Sequence, residues 1–430
     1  MFTKVTSSLQ RPFHCWATVI PGFESLFQYE LVKLKVGTQS TCVYRDYSGG
    51  VDVMLDERQF WRMMCCSRMV ESARIKIGSF TLTNRRGVEE NLKRIPWEKY
   101  ITEKDDLYVQ TTLIKNNMFF PRDINDIILN NSPLSSLAHS ITTTRSPNKK
   151  KVFFLIRRDS VTVSIDVGYD SNRGYRRFLA ETPLKETIAA ALCYNTIQKG
   201  GLLRNNMLVF DFFCGSGILG DELISIIRRD YPYLQRRRFL TDFRHGFEKW
   251  PVHDAPNFDR FVAELEEERR KAPLMRDYAI MDSDIAARAI FCARKNTMNL
   301  FREHVDAASL DGAGDVTIPE TISFTQEAFD KRARQLIEAI QQNHDAYRNN
   351  IVVLANPPIY MKNYGNFKDL DKLYYSLFEL VYSLKQTGLL RSASILIPYS
   401  TQFQLPEALQ DVSSLRKLKL GDHLLCLLSV

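Results

Sequence analysis

Met207-Leu-Val-Phe-Asp-Phe-Phe-Cys-Gly-Ser-Gly-Ile-Leu-Gly220 is the stretch on which the fold turns. A short apolar run, Met207 to Phe210, ends in Asp211. A loop with Gly215 and Gly217 follows, then an apolar-periodic segment carrying Ile218, Leu219, Leu223, Ile224 and Ile227. The period changes from that of a strand to that of a helix across the glycines. Glycine lets the backbone turn sharply and approach a ligand that a Cβ would push away. In an open α/β sheet, ligands sit beyond the carboxyl ends of the strands, where this loop must lie.

A dinucleotide fingerprint reads G-x-G-x-x-G, with its acid about 20 residues later. Here Asp211 precedes the glycines. A carboxylate at that point repels a pyrophosphate and suits a cationic amino acid. S-adenosylmethionine has such an end, with an α-amino group beside a sulfonium. The D-x-x-C-G-S-G form resembles motif I of class I methyltransferases, so Asp211, Cys214, Gly215 and Gly217 are candidate cofactor residues. A strand-loop-helix turn in some other α/β domain is the plainer alternative.

The rest of the chain extends this reading on both sides. Ahead of the stretch, Pro183 to Ile197 has a helical pattern with Thr182 as a candidate N-cap. After it comes a polar insertion, Arg228 to Asp277, whose side of the fold the sequence does not settle. Strands are then expected at 277–281, 321–325, 351–355 and 394–397, with a terminal pair at 415–420 and 424–430. Strands alternating with helices and closed by a hairpin predict a Rossmann-like, seven-stranded sheet. Asp282, at the end of its strand, is placed to accept both hydroxyls of a ribose, although Ser283 or Asp284 could equally cap the next helix. Asn356-Pro357-Pro358 follows the fully apolar strand, and the prolines stiffen the exit so that the Asn faces the cleft. Acceptors there can localise the lone pair of an exocyclic amino group on a base.

N-terminal to all this, a strand (13–20), a helical face (23–34), two strands (41–44, 50–55), a helix (57–68) and a strand (73–77) give the order of a ferredoxin-like unit. An α+β pattern continues to Val167, with strands at 107–113, 152–156 and 160–166 and a helix at 121–129. Ser132 to Lys151 reads as a loop ending in Lys149, Lys150 and Lys151, with Arg157 and Arg158 just beyond. Arg173, Arg176 and Arg177 stand in a basic linker. In a chain of net charge +8, these cations are candidate RNA contacts; a solvated face is the alternative.

The 430 residues have the apolar and charged content of a globular protein, 44% and 25%, and no run long enough to span a membrane. Eight cysteines without C-x-x-C spacing imply buried thiols and no metal site. The first 23 residues lack acids and carry Lys4 and Arg11, weakly like a mitochondrial presequence. Mitochondrial localisation is the expectation, with the cytoplasm as alternative.

Taken together, the chain resembles the THUMP-domain-containing large-subunit ribosomal RNA guanine-N2 methyltransferase family. ATVIPGFESL, SGGVDV, FWRMMCCSRMVESARI, IPW, RGYRR, PLKETIAAAL, DFFCGSG, GFEKWP, MDSD and NPP carry the resemblance nearly end to end. It implies a ferredoxin-like domain (12–78), a THUMP RNA-binding domain (79–167), a linker (168–182) and a class I methyltransferase domain (183–430). It also implies S-adenosylmethionine as cofactor, with ribosomal RNA, the pre-ribosomal large-subunit particle and its assembly proteins as partners. Two departures stand out. Ile359 occupies the place of an aromatic that stacks on the target base, leaving Tyr360 as the nearest ring. The expected adenine-binding acid is blurred to Gln326-Glu327-Ala328, so Glu327 is the candidate. An RNA methyltransferase is thus expected, and a catalytically weak homologue acting as an RNA-binding ribosome-assembly factor is the alternative. A nicotinamide-dependent oxidoreductase is a distant third.

Overall fold

The computed structural model describes residues 12–37, 41–116, 119–146, 148–181, 183–201, 207–240, 242–272, 278–302, 317–358, 367–399, 410, 413–420 and 423–430. Two sheets organise them.

The first sheet begins with β1 (Phe13–Thr18), α1 (Glu24–Lys33), β2 (Cys42–Tyr44), β3 (Gly50–Leu55), α2 (Glu57–Cys66) and β4 (Ser72–Thr81). These strands lie in the order β2-β3-β1-β4, all antiparallel, which is a ferredoxin-like arrangement. Asp56 starts α2 with a capping box, accepting from Gln59 N while Gln59 Oε1 accepts from Asp56 N. The chain continues through α3 (Arg85–Lys93), β5 (Asp106–Ile114), α4 (Pro121–Asn131), α5 (Leu134–Leu137), β6 (Ser140–Thr142), β7 (Lys150–Arg157) and β8 (Ser160–Asp166). These strands extend the same sheet, in the order β4-β8-β7-β5-β6. The boundary expected at 78/79 therefore falls inside β4, whose one edge pairs with β1 and whose other edge pairs with β8. The segment Ser132 to Lys151, expected as a loop, holds α5 and β6 and enters β7. Short elements of this kind have too few residues to show a period.

The second sheet is built from α6 (Glu186–Gly200), β9 (Met207–Asp211), α7 (Ile218–Ile227), α8 (Pro232–Phe239), α9 (Ala255–Arg270), β10 (Tyr278–Asp284), α10 (Ala287–Phe301), β11 (Ile322–Gln326), α11 (Phe329–Gln342), α12 (His344–Tyr347), β12 (Ile351–Ala355), α13 (Phe367–Gln386), β13 (Leu390–Pro398), β14 (Ser414–Leu420) and β15 (His423–Ser429). Its seven strands run β11-β10-β9-β12-β13-β15-β14. The first five are parallel, and β15 is antiparallel to both its neighbours. β12 is buried at all five positions, as its unbroken apolar run requires of a strand covered on both faces. Strand β10 continues through Asp282 and Asp284, further than its apolar content indicated. Thr182, the expected N-cap, lies outside the described residues, and α6 begins three residues later than expected, with Lys185 at its cap position.

The insertion after α7 packs against the N-terminal unit. Trp61 of α2 sits 5.4 Å from Phe258 and 5.9 Å from Phe261 of α9, ring to ring. Arg62 grips Glu268 through both guanidinium nitrogens, at 2.9 and 2.7 Å. A second contact is fully buried: Glu222 of α7 accepts from Arg68 at 3.1 Å and from Arg173 at 2.8 Å. The two units are therefore joined by an apolar clasp and a buried ion triad.

Candidate active site

Every candidate side chain of the second sheet that lies among the described residues stands at the carboxyl ends of β9, β10, β11 and β12. Parallel pairing places Asp211 beside Asp282, and Leu354 on the other side of Asp211. Asn356 is the first residue beyond β12.

The glycine loop is held in shape by its neighbours. Asp211 Oδ1 accepts from Phe213 N at 3.0 Å, and Cys214 N donates to Ser283 O at 3.0 Å. Gly215 has φ +54°, and a Cβ there would meet nothing within 4 Å, so the loop borders open space. Gly217 has φ +82°, and a Cβ would stand 3.0 Å from Ala293 of α10. One glycine leaves room for a ligand, and the other lets α7 approach α10. Ser216 is fixed twice: its Oγ accepts from Arg176 Nη2 at 3.0 Å, and its carbonyl accepts from Asn296 Nδ2 at 3.0 Å. Asn296 also bonds the backbone of Arg177 and Phe178, tying the linker to the loop.

Asp211 and Asp282 are 1% and 2% exposed, and each leaves one carboxylate oxygen without a hydrogen bond among the described residues. Burial raises both carboxyls well above their ordinary range; Asp282 raises Asp211 further, and Asp221 raises Asp282. The Asp282 carboxylate lies against Gly220 of α7, 3.0 Å from where a Cβ would stand. Asp284 is different: it is half-exposed, its Oδ2 accepts from Gly215 N at 3.0 Å, and its Oδ1 accepts from Ala286 N at 2.9 Å. Backbone donors of the glycine loop and of the start of α10 thus engage both Asp284 oxygens, whereas Asp282 keeps one oxygen unpartnered among the described residues. The two share a strand face two residues apart, so alternation could not separate them. Glu327 follows β11, its backbone N–H donating to Asp284 O at 2.9 Å. Its carboxylate holds Lys331 at 2.6 Å, and that contact keeps it below the ordinary carboxyl range.

Asn356 Oδ1 is buried with no hydrogen-bond partner among the described residues. The following turn is pinned by Tyr374 of α13, whose hydroxyl donates to Pro358 O at 3.2 Å. Pro357 is buried between these two positions. Ile359 and Tyr360 lie outside the described residues.

The cations expected to touch RNA are scattered and partly committed elsewhere. Arg173 is wholly buried in the Glu222 triad, and Nη2 donates to Arg68 O. Arg176 bonds Leu184 O, Glu186 and Ser216. Lys150 is spent on Tyr100 O and Asp105 at 2.9 and 2.7 Å. Lys149 donates to Ser140 Oγ at 3.2 Å, and Lys151 lies 3.9 Å from Asp166. Arg157 and Arg158 are exposed, but they stand at the far end of β7, about 23 Å or more from Lys150 at the rise of a strand. Arg177 is exposed over the Phe239 ring. Burial, invisible in a list of basic residues, separates structural arginines from available ones. All eight cysteines are buried and free, and no group of metal-ligating side chains occurs among the described residues.

A seven-stranded sheet of this order, with an acid before a glycine loop at β9, the middle of its five parallel strands, defines a class I methyltransferase domain. Residues 173–417 match the RMKL-like, methyltransferase domain family, and the chain belongs to it. Among curated relatives, Ribosomal RNA large subunit methyltransferase K/L of Shewanella loihica is 26% identical over 294 residues, covering 66% of this chain and 35% of the relative. The enzyme of that name from Syntrophotalea carbinolica is 26% identical over 379 residues, covering 86% and 47%. The chain thus spans a third to a half of these relatives. A protein assigned as a methyltransferase and crystallised with SAH superposes with a TM-score of 0.66 at 22% identity, over 98% of both chains. TrmN from Thermus thermophilus superposes at 0.56 with 15% identity, over 97% of this chain and 98% of that one. These likenesses concern the fold.

Proposed function

We propose that the chain is an S-adenosylmethionine-dependent methyltransferase acting on an exocyclic amino group of RNA, the N2 of guanine in ribosomal RNA. One observation carries the proposal: three buried polar atoms without partners among the described residues, Asp211 Oδ2, Asp282 Oδ1 and Asn356 Oδ1, belong to the carboxyl ends of the neighbouring strands β9, β10 and β12, where Gly215 opens the loop. Orphaned buried acceptors are costly unless a ligand satisfies them. Their chemistry fits the cofactor's cationic amino-acid end, its ribose hydroxyls and a base amino group.

In this assignment Asp211, Cys214, Gly215 and Gly217 form the cradle for the methionine portion. Asp282 takes the ribose hydroxyls, and Asp284, engaged by the Gly215 and Ala286 N–H groups, braces the loop. Glu327 borders the adenine side. The cofactor supplies an electrophilic methyl. Asn356 Oδ1 accepts a hydrogen from the target amino group, which localises the nitrogen lone pair and orients it. Pro357 and Pro358, with Tyr374 behind them, hold Asn356 in place. Tyr360 remains the proposed stacking ring. Residues 79–167 are proposed as a THUMP RNA-binding unit, and the large-subunit precursor particle with its assembly proteins as partner. The acid-free N-terminal segment supports a mitochondrial location, with the cytoplasm as alternative.

The assembly-factor alternative rests on Ile359, which removes an aromatic at the base-stacking position. One experiment separates the two: calorimetric titration with S-adenosylmethionine, followed by transfer of its labelled methyl to native ribosomal RNA and nucleoside analysis. Binding with N2-methylguanosine formed supports the enzyme. Binding of RNA without transfer supports the scaffold. No cofactor binding overturns the site assignment.

A further inference from the structure

Helix α10 has two unlike faces. Its buried face carries Ala289, Cys292, Ala293, Asn296 and Thr297, packed under the glycine loop. From Ile285 to Arg302 the chain has four cations, Arg288, Arg294, Lys295 and Arg302, and no acid. None of the four forms an ion pair among the described residues. Arg288, Phe291 and Lys295 stand three and four residues apart, so they make one stripe on the exposed side. Phe291 is 54% exposed, with the Lys295 ammonium 5.9 Å from its ring centroid. Exposed Phe178 meets Phe291 edge to face at 6.0 Å, with Arg177 next to it in the chain. Ile285, 61% exposed, begins the stripe beside Asp284 at the mouth of the site. The acids nearest the strip in sequence are Asp284, engaged by backbone N–H groups, and Glu181 of the linker.

We infer that the outer face of α10, with Phe178 and Arg177 of the linker, is a docking strip for the single-stranded RNA that flanks the target base. This rests on the RNA methyltransferase assignment and extends it. Exposed rings are costly in water unless something covers them, and cations without acids select an anionic cover. A polyphosphate chain with unstacked bases supplies both complements: phosphates for Arg177, Arg288 and Lys295, base faces for Phe291 and Phe178. A duplex would offer the phosphates but bury its base faces. A base that must leave its stack to be modified needs unstacked neighbours held close by, and the strip begins at the cleft. Because α10 also fixes Ser216 through Asn296, the same helix that shapes the cofactor loop would register the RNA against it.

Three variants test this in the full chain: Arg288→Ala with Lys295→Ala, Phe291→Ala, and Arg270→Ala as a control on an exposed i,i+3 pair of α9. The altered side chains are exposed, so folding should be retained, and calorimetric affinity for S-adenosylmethionine checks the cofactor loop. The probes are a guanine-containing single-stranded RNA and polyglutamate. The expected result is wild-type cofactor affinity throughout. The double variant should flatten the log–log salt slope for RNA by about 1.4, at roughly 0.7 per contact. Phe291→Ala should weaken RNA binding on the order of tenfold. Wild-type RNA binding left unchanged by both variants overturns the strip while sparing the RNA assignment. No RNA binding by the wild type overturns both. Polyglutamate competing as well as RNA, with Phe291→Ala silent, overturns the strip in favour of an acidic protein partner.

Discussion

Replacing Glu222 with Gln should loosen the joint between the two sheets. Glu222 is fully buried and accepts from both Arg68 and Arg173, so the substitution leaves two buried guanidinium groups facing a neutral amide. Removing one partner of a buried pair costs about 3–5 kcal/mol. The figure here should fall near the lower end, because Arg68 keeps Asp230 O and Arg173 keeps Ser171 O and Arg68 O. Net folding stabilities are of order 5–15 kcal/mol, so the loss is a large fraction of the whole. Urea unfolding followed by tryptophan fluorescence should show a midpoint lower by about 1 M or more. Of the four tryptophans, Trp16 lies on β1, Trp97 packs on Phe154 of β7, Trp61 belongs to the clasp and Trp250 meets Tyr100 of the first unit edge-on, whereas circular dichroism reports both sheets. The two probes should therefore separate in the variant more than in the wild type. Arg58→Ala, which breaks an exposed pair with Glu264, should cost under about 1 kcal/mol. A Glu222→Gln protein within about 1 kcal/mol of wild type, with coincident probes, would refute the triad as the joint.

Asp211→Asn should stabilise the ligand-free protein at neutral pH while weakening S-adenosylmethionine binding. Its folded carboxyl is raised above the unfolded value, so its stability contribution is full below about pH 4 and is lost as pH rises through the folded value. The gain from Asn should therefore be present at pH 7 and vanish near pH 4, as thermal melts at both pH values will show. Asp282→Ala should weaken cofactor binding more than Asp284→Ala in calorimetry, and the reverse order would move the ribose to Asp284. Arg176→Ala should lower cofactor affinity severalfold through Ser216 without touching the ligand, and an unchanged affinity would remove it as a positioning residue. Gly215→Ala should lower cofactor affinity while costing only about 1 kcal/mol of stability, since no atom stands in the way of its Cβ.

The class of the catalytic domain was legible in the sequence because it rests on local signals. The run Met207 to Phe210, the glycines after Asp211, and the fully apolar Ile351 to Ala355 each state their backbone geometry within a few residues. Parallel pairing then had to place Asp211, Asp282 and Asn356 at one edge, since strands joined by crossover helices end on the same side. The β-α-β-β-α-β order at the N-terminus announced itself in the same way. What the tertiary structure alone decided is burial and partnership. Arg173, Arg176 and Lys150 look like Arg177 and Arg157 in a sequence, yet the first three are held by Glu222, Ser216 and Asp105. Asp282 and Asp284 share a strand face, and only the packing of Gly220 against the first and Gly215 N–H against the second tells them apart. The insertion whose side the sequence did not settle became a clasp because Phe258 and Phe261 pack on Trp61, almost 200 residues earlier in the chain. Local geometry is written in neighbours along the chain, whereas the state of a charge depends on neighbours in space.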